Sequence, residues 1–266
     1  MKTIGLLALF FTLYTASAQC GNEASSTVGR ALNFSIIATD RIESEVVDVV
    51  IDAAFKQVMN CEYEAALAII LDGLEQYPSH FGLQSDLAAL IGDYSETCSG
   101  ELKEALAQKS QALFNQLLEI AEYQPKYKKY QFKNEYFFRH AQYKNQYENG
   151  LELIAQSQLE EIVSTKGKGY YYQGVGAARY AMQLFSENDD SLAREYAYKA
   201  IVSWAQYFTY ENDYYNAYVH YAIALGVLGY TEEMMCALLR SASFINKDLT
   251  YFEFKDVIDF FESLKA

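Results

Sequence analysis

The sequence predicts an all-α protein, and three observations carry that prediction. Proline is nearly absent, at two of 266 residues, and glycine punctuation is sparse beyond residue 25. Apolar residues recur three and four apart along almost the whole chain. The stretch CEYEAALAIILDGLEQYPSH, residues 61 to 80, sets Tyr63, Ala66, Leu67, Ile70, Leu71 and Leu74 on one stripe and then stops at Pro78, which cannot continue a helix. Half the residues are apolar and 24 are tyrosine, a composition that folds.

The first eighteen residues, MKTIGLLALFFTLYTASA, place one lysine before an apolar core and end in small residues, the anatomy of a cleaved export signal. The apolar run is too short to span a bilayer, and no later segment offers a transmembrane helix. Cleavage is expected after Ala18. Lipidation of Cys20 is the alternative, and the bulky, polar Gln19 before it argues against that route. The chain is therefore expected to be exported, periplasmic or secreted. Without Lys2, 20 basic residues face 35 acidic ones, a balance that repels nucleic acid and anionic membranes.

Residues 19–25 read as a flexible N-terminus, and 26–266 as one domain opened by an extra helix over 26–39. ESEVVDVVIDAAFKQVMN has the same period as the stripe that follows it, so the pair reads as a helical hairpin turning at Asn60-Cys61. Ala53, Ala54 and Ala66 let its two helices approach closely. AYVHYAIALGVLGYTEEMMCALLRSASFIN repeats the plan. Tyr218, Tyr221, Ala222 and Leu225 lie on its first helix, Gly229 at the turn, and Met234, Leu238 and Ser241 on its second.

Looser copies lie between these two. One has Tyr172, Val175, Gly176 and Arg179 on its first helix and Ala193, Ala197 and Ala200 on its second, joined by a turn MQLFSENDD with about five extra residues. Phe137, Phe138, Tyr147, Gly150 and Ile154 suggest another, and Leu87, Ala88, Ala105 and Ala112 a fifth with a long second helix. FEFKDVIDFFESLKA is the expected closing helix.

Val50, Ala53, Ala54, Gln57, Ala66, Ile70 and Pro78 stand at the spacings of a tetratricopeptide repeat, and the chain resembles that family. The resemblance implies a right-handed superhelical stack of about five hairpins whose first helices line a concave face that takes a peptide or protein partner. Projected onto that face are Phe55, Met59, Arg139, Tyr143, Tyr170, Gln173 and Tyr180. Ile51 and Phe55 stand where the family's chaperone-binding members need polar or basic groups, so that form of docking is not expected.

One basic island interrupts the acidic chain. On a single continuous helix, Lys126, Lys129, Lys133, His140 and Lys144 would share an arc of about 60°. This is a solvated face or a grip for an acidic peptide or glycan. The cysteines Cys20, Cys61, Cys98 and Cys236 permit disulfides in an exported chain, with Cys61 and Cys98 one candidate pair.

No catalytic or cofactor signature occurs, and three scattered histidines lack metal spacing. Neither cofactor nor metal is expected. The glycines of GKGYYYQGVG read as shaping a helix entry. Glu160-Glu161 and Asp189-Asp190 are neighbours that diverge on a helix, unlike the facing carboxylates of a glycosidase.

The expectation is thus a non-enzymatic scaffold binding a peptide or protein. The alternatives are an accessory of an envelope transport system enclosing a small molecule near Tyr170 to Tyr180, and an α-helical glycan hydrolase.

Overall fold

The computed structural model describes residues 25–37, 45–60, 62–123, 126–159, 163–244 and 255–264. Among these lie twelve helices and no strand. The export signal, Cys20, Cys61 and the Glu160-Glu161 pair fall outside the described residues.

The chain divides into two compact units, one holding the described residues through Glu122 and the other those from Tyr123 onward. The first contains α1 (Ser26–Asn33), α2 (Glu45–Met59), α3 (Tyr63–Gln76), α4 (Phe81–Thr97) and α5 (Gly100–Ala121). The second contains α6 (Lys126–Arg139), α7 (Tyr143–Leu159), α8 (Val163–Ser186), α9 (Asp190–Tyr207), α10 (Tyr215–Leu228), α11 (Thr231–Phe244) and α12 (Lys255–Ser263). From α2 to α5 and again from α6 to α11 each helix packs against the next, α7 against α8 most extensively, and the expected pairs α2/α3, α4/α5, α6/α7, α8/α9 and α10/α11 are among these contacts. Such pairing is consistent with a helical repeat.

The first unit is built on aliphatic side chains. Leu67 and Ile70 of α3, Leu83, Leu87 and Ile91 of α4, and Leu106, Leu113 and Leu117 of α5 are all buried. The stripe on α3 is wholly buried, Tyr63 included. The small-residue contact expected on α5 is not there. Ala105 and Ala112 face solvent, and the small residue that meets α4 is Ser110, whose hydroxyl donates to Ala88 O at 2.7 Å.

Helix α1 stops at Asn33, short of the expected 39, because Phe34 leaves the helix in an extended conformation. The strip that follows is held by a buried glutamine. Gln84 accepts from Ile37 N–H at 2.9 Å and donates to Ile37 O at 3.2 Å. Lys109 donates to Phe34 O, and burial lowers the Lys109 pKa.

The second unit uses a recurrent turn. Ala141, Asn188 and Gly229 have φ of 52°, 64° and 82°, the left-handed region, just after α6, α8 and α10. The next N–H in each case reaches five residues back: Gln142 to Phe137 O at 2.8 Å, Asp189 to Leu184 O and Tyr230 to Leu225 O at 2.9 Å. These are Schellman closures that satisfy carbonyls left bare at a helix end. The residue that closes one helix also opens the next, since Gln142 O, Asp189 O and Tyr230 O accept from the N–H four residues on. Glu62 N–H bonds Gln57 O in the same way at the α2/α3 turn of the first unit.

Two expectations are corrected here. MQLF continues α8 to Ser186, so the turn into α9 is short and the extra residues lengthen the helix. The glycines of GKGYYYQGVG lie inside α8 and serve packing. A Cβ on Gly176 would fall 2.4 Å from Tyr147 N, and one on Gly174 would fall 2.7 Å from the Trp204 ring. Across the same contact, a Cβ on Gly150 of α7 would fall 2.5 Å from Gln173 N. Helices α7 and α8 therefore touch backbone to backbone, and glycine is what permits it.

A buried cation links the first helices of this unit. Arg179 of α8 is almost wholly buried, donates from Nε to His220 Nε2 of α10 at 3.0 Å, and lies 5.3 Å from the Phe138 ring centre of α6. His220 Nδ1 lies 3.0 Å from Asn216 O. That carbonyl can only accept, so the proton sits on Nδ1 and the imidazole is neutral. Helix α12 packs against α10, with Phe260 edge-on to Phe185 of α8 at 5.9 Å.

Candidate functional site

The feature with the makings of a binding site is a cleft of about 390 Å³ formed by α7, α8 and α9. Its floor belongs to α8, through Tyr170 and Gln173. Tyr147 of α7 stands on one side, and Glu195, Tyr198, Lys199, Val202 and Ser203 of α9 on the other. On α9 these residues are spaced three and four apart and so share a face.

Aromatic contacts fix the walls. Tyr147 meets Tyr196 edge-on at 5.7 Å, and Tyr170 stacks on Tyr210 at 6.0 Å. Lys199 Nζ sits 4.1 Å from the Tyr196 ring centre and 5.8 Å from that of Tyr147. It is paired with Glu195 at 2.7 Å, and that hydrogen bond raises the lysine's pKa against the opposing effect of burial. The cleft's one cation is thus neutralised by its own helix. Tyr198 and Val202 are 53% and 65% exposed, large apolar groups left facing water. Tyr198 hydrogen-bonds Tyr230, whose pKa that bond raises.

Gln173 differs from the rest. It is 8% exposed, lines the cleft, and makes no hydrogen bond to any described residue. Ser203 has spent its proton on Lys199 O at 2.8 Å.

Of the seven residues projected from the repeat pattern, the cleft brings together Tyr170 and Gln173. Tyr180 is one step away, edge-on to Tyr196 at 4.7 Å. Arg139 ends α6 and is paired with Glu135, and Tyr143 opens α7 edge-on to Phe138 at 6.2 Å. Phe55 and Met59 lie on α2, in the other unit, with Phe55 61% exposed. The α9 wall lies outside that projection, which covers first helices alone. Its signal was in the sequence: Tyr198 and Val202 interrupt an otherwise polar face at helical spacing.

The basic stripe is not one helix face. Helix α6 ends at Arg139, the left-handed turn at Ala141 redirects the chain, and Lys144 lies on α7. Lys126, Lys129 and Lys133 share α6, while His140 in the turn stacks on Tyr136 at 4.2 Å. A carbonyl-capped helix end, not a proline, broke the expected continuity.

A second cleft, about 430 Å³, lies between α10 and α11 with Tyr218, Tyr221, Cys236 and Arg240 in its lining. Cys236 is a free, exposed thiol, and Cys98 is disulfide-bonded. Among the described residues no group of three or more His, Cys, Asp or Glu is placed to hold a metal ion, and no helix is long and apolar enough to cross a membrane. No protein family model, curated protein or solved structure matches the chain.

Proposed function

We propose that this is an exported, non-enzymatic scaffold, a right-handed superhelical stack of tetratricopeptide-like hairpins, that binds a peptide or protein segment. The recurrent closure at Ala141, Asn188 and Gly229 supports the repeat reading, because one turn geometry joins three successive helix pairs. The same reading pairs Cys98 with Cys61, since Tyr63 stacks on Tyr94 at 5.7 Å and so draws the neighbouring positions of α3 and α4 together.

The observation that carries the binding reading is the cleft of α7, α8 and α9, walled by tyrosines and rimmed by exposed Tyr198 and Val202. A small solute is held in an enclosed pocket, whereas a chain segment needs an open one that it can enter and leave at its ends. Exposed rims favour the segment. Tyrosine suits that task, giving contact area with few rotors to freeze. A glycan hydrolase would need a second carboxylate facing Glu195, and the lining supplies Tyr, Gln, Val and Ser instead.

Panning a displayed peptide library over the mature chain tests the proposal. Peptides should be enriched on the wild type and lost on a Tyr170→Ala, Tyr198→Ala variant whose far-UV dichroism is unchanged. Equal enrichment on both would move the site elsewhere. Stabilisation by a panel of small solutes, with no peptide enriched, would replace this reading with the transport-accessory one.

A further inference from the structure

We infer that Gln173 reads the main chain of an extended, uncharged peptide segment laid in the cleft of α7, α8 and α9. This rests on the peptide-binding reading above and adds the residue that recognises the segment and the kind of segment it accepts.

A carboxamide offers one acceptor and two donors. Gln173 is more than nine-tenths buried, opens on the cleft, and bonds to no described residue. Its amide is therefore available to a ligand presenting one donor and one acceptor side by side. The N–H and C=O of one residue in an extended chain do this.

The protein already makes that contact with itself. In the first unit the buried Gln84 takes both the N–H and the C=O of Ile37, holding the non-helical residues 34–37 beside α4. Gln84 and Gln173 both lie on the first helix of a packed pair. Gln84 has its occupant in the same chain, and Gln173 has none among the described residues.

The rest of the lining sets the class of segment. Glu195 and Lys199 are spent on each other at 2.7 Å, so a charged side chain would find no counter-charge. Tyr147, Tyr170, Tyr198 and Val202 present rings and methyls, which suit a β-branched or aromatic neighbour of the recognised unit.

The test begins with affinity selection from a positional-scanning library of capped hexapeptides on the full mature chain. A retained peptide is then titrated calorimetrically against wild type and Gln173→Leu, with each backbone N–H methylated in turn. The inference expects uncharged, β-branched or aromatic sequences. One methylation should weaken wild-type binding about tenfold, the loss of one hydrogen bond, and leave the already weakened Gln173→Leu unchanged. Gln173→Glu, close in shape and still an acceptor but without the N–H donors, should lose the bond to the segment's C=O and serves as the affinity control if Gln173→Leu does not fold.

Selection of charged peptides, or wild-type affinity in both variants, overturns the inference while peptide binding stands. Retention of no peptide removes the peptide reading as well.

Discussion

The two units solve the same packing problem with different residues. In the first, α3, α4 and α5 meet through leucine and isoleucine. In the second, α7, α8 and α9 meet through glycine and alanine, with Trp204, Tyr196 and Tyr207 filling the space beside the close contact. Aliphatic ridges can shift and repack when one is altered. A backbone contact has no side chain to move, so the second unit should be the more brittle, and it is the one that carries the cleft.

Gly176→Ala tests that difference most severely. The added Cβ meets Tyr147 N and Tyr143 O, at 2.4 and 2.8 Å, and can be accommodated only by parting α7 from α8. A loss of roughly 4 kcal/mol or more is expected, at the extreme of single substitutions. Trp204, the sole tryptophan and fully buried in the second unit, reports it directly. Denaturant melts followed by Trp204 fluorescence should shift far to the left. An unchanged midpoint would mean that the helices are not held at that distance.

Acid should act about as strongly, and on the same unit. Burial, then the Arg179 charge, lowers the His220 pKa from its usual 6.5 to about 3. The unfolded chain takes up a proton below pH 6.5 that the folded chain refuses until about pH 3. The stability is therefore complete above pH 6.5 and drains away as pH falls toward 3, by something on the order of 5 kcal/mol. Acid titration of Trp204 emission should show this, and His220→Leu should flatten that part of the curve.

In the first unit Leu87→Ala removes a wholly buried side chain at an aliphatic contact. About 3 kcal/mol is expected, read by hydrogen exchange of the α4 amides. If Leu87→Ala cost more than Gly176→Ala, the ranking of the two units would be reversed. At the other end, Arg30 bridges Asp72 and Glu75, each at 2.8 Å, with all three side chains well exposed. Arg30→Ala should cost under about 1 kcal/mol, and less in high salt.

How much of this was legible in the sequence follows from the same contrast. The α3 stripe, the turn at Gly229 and the small contact residue Ser241 could be read from spacing, because side chains at fixed intervals determine those features. Glycine is ambiguous in a way leucine is not. The same letter serves a helix entry or a backbone contact, and only the partner helix distinguishes them, so the sequence of GKGYYYQGVG suggests the former while α8 uses it as the latter. The turn at Ala141 is hidden for a related reason, since alanine usually continues a helix, and the expected lysine arc runs straight through it. In the cleft, Tyr170 and Gln173 could be projected from first-helix positions, while the α9 wall depends on which face of a second helix remains uncovered.

The left-handed closures have a practical reach of their own. Alanine, asparagine and glycine occupy the same station in three neighbouring hairpins, so the joint is specified by who bonds to whom and not by a letter. Segments cut at those joints and rejoined in a different order or number would present matching ends. A chain joined in this way could be lengthened two helices at a time without redesigning a single turn.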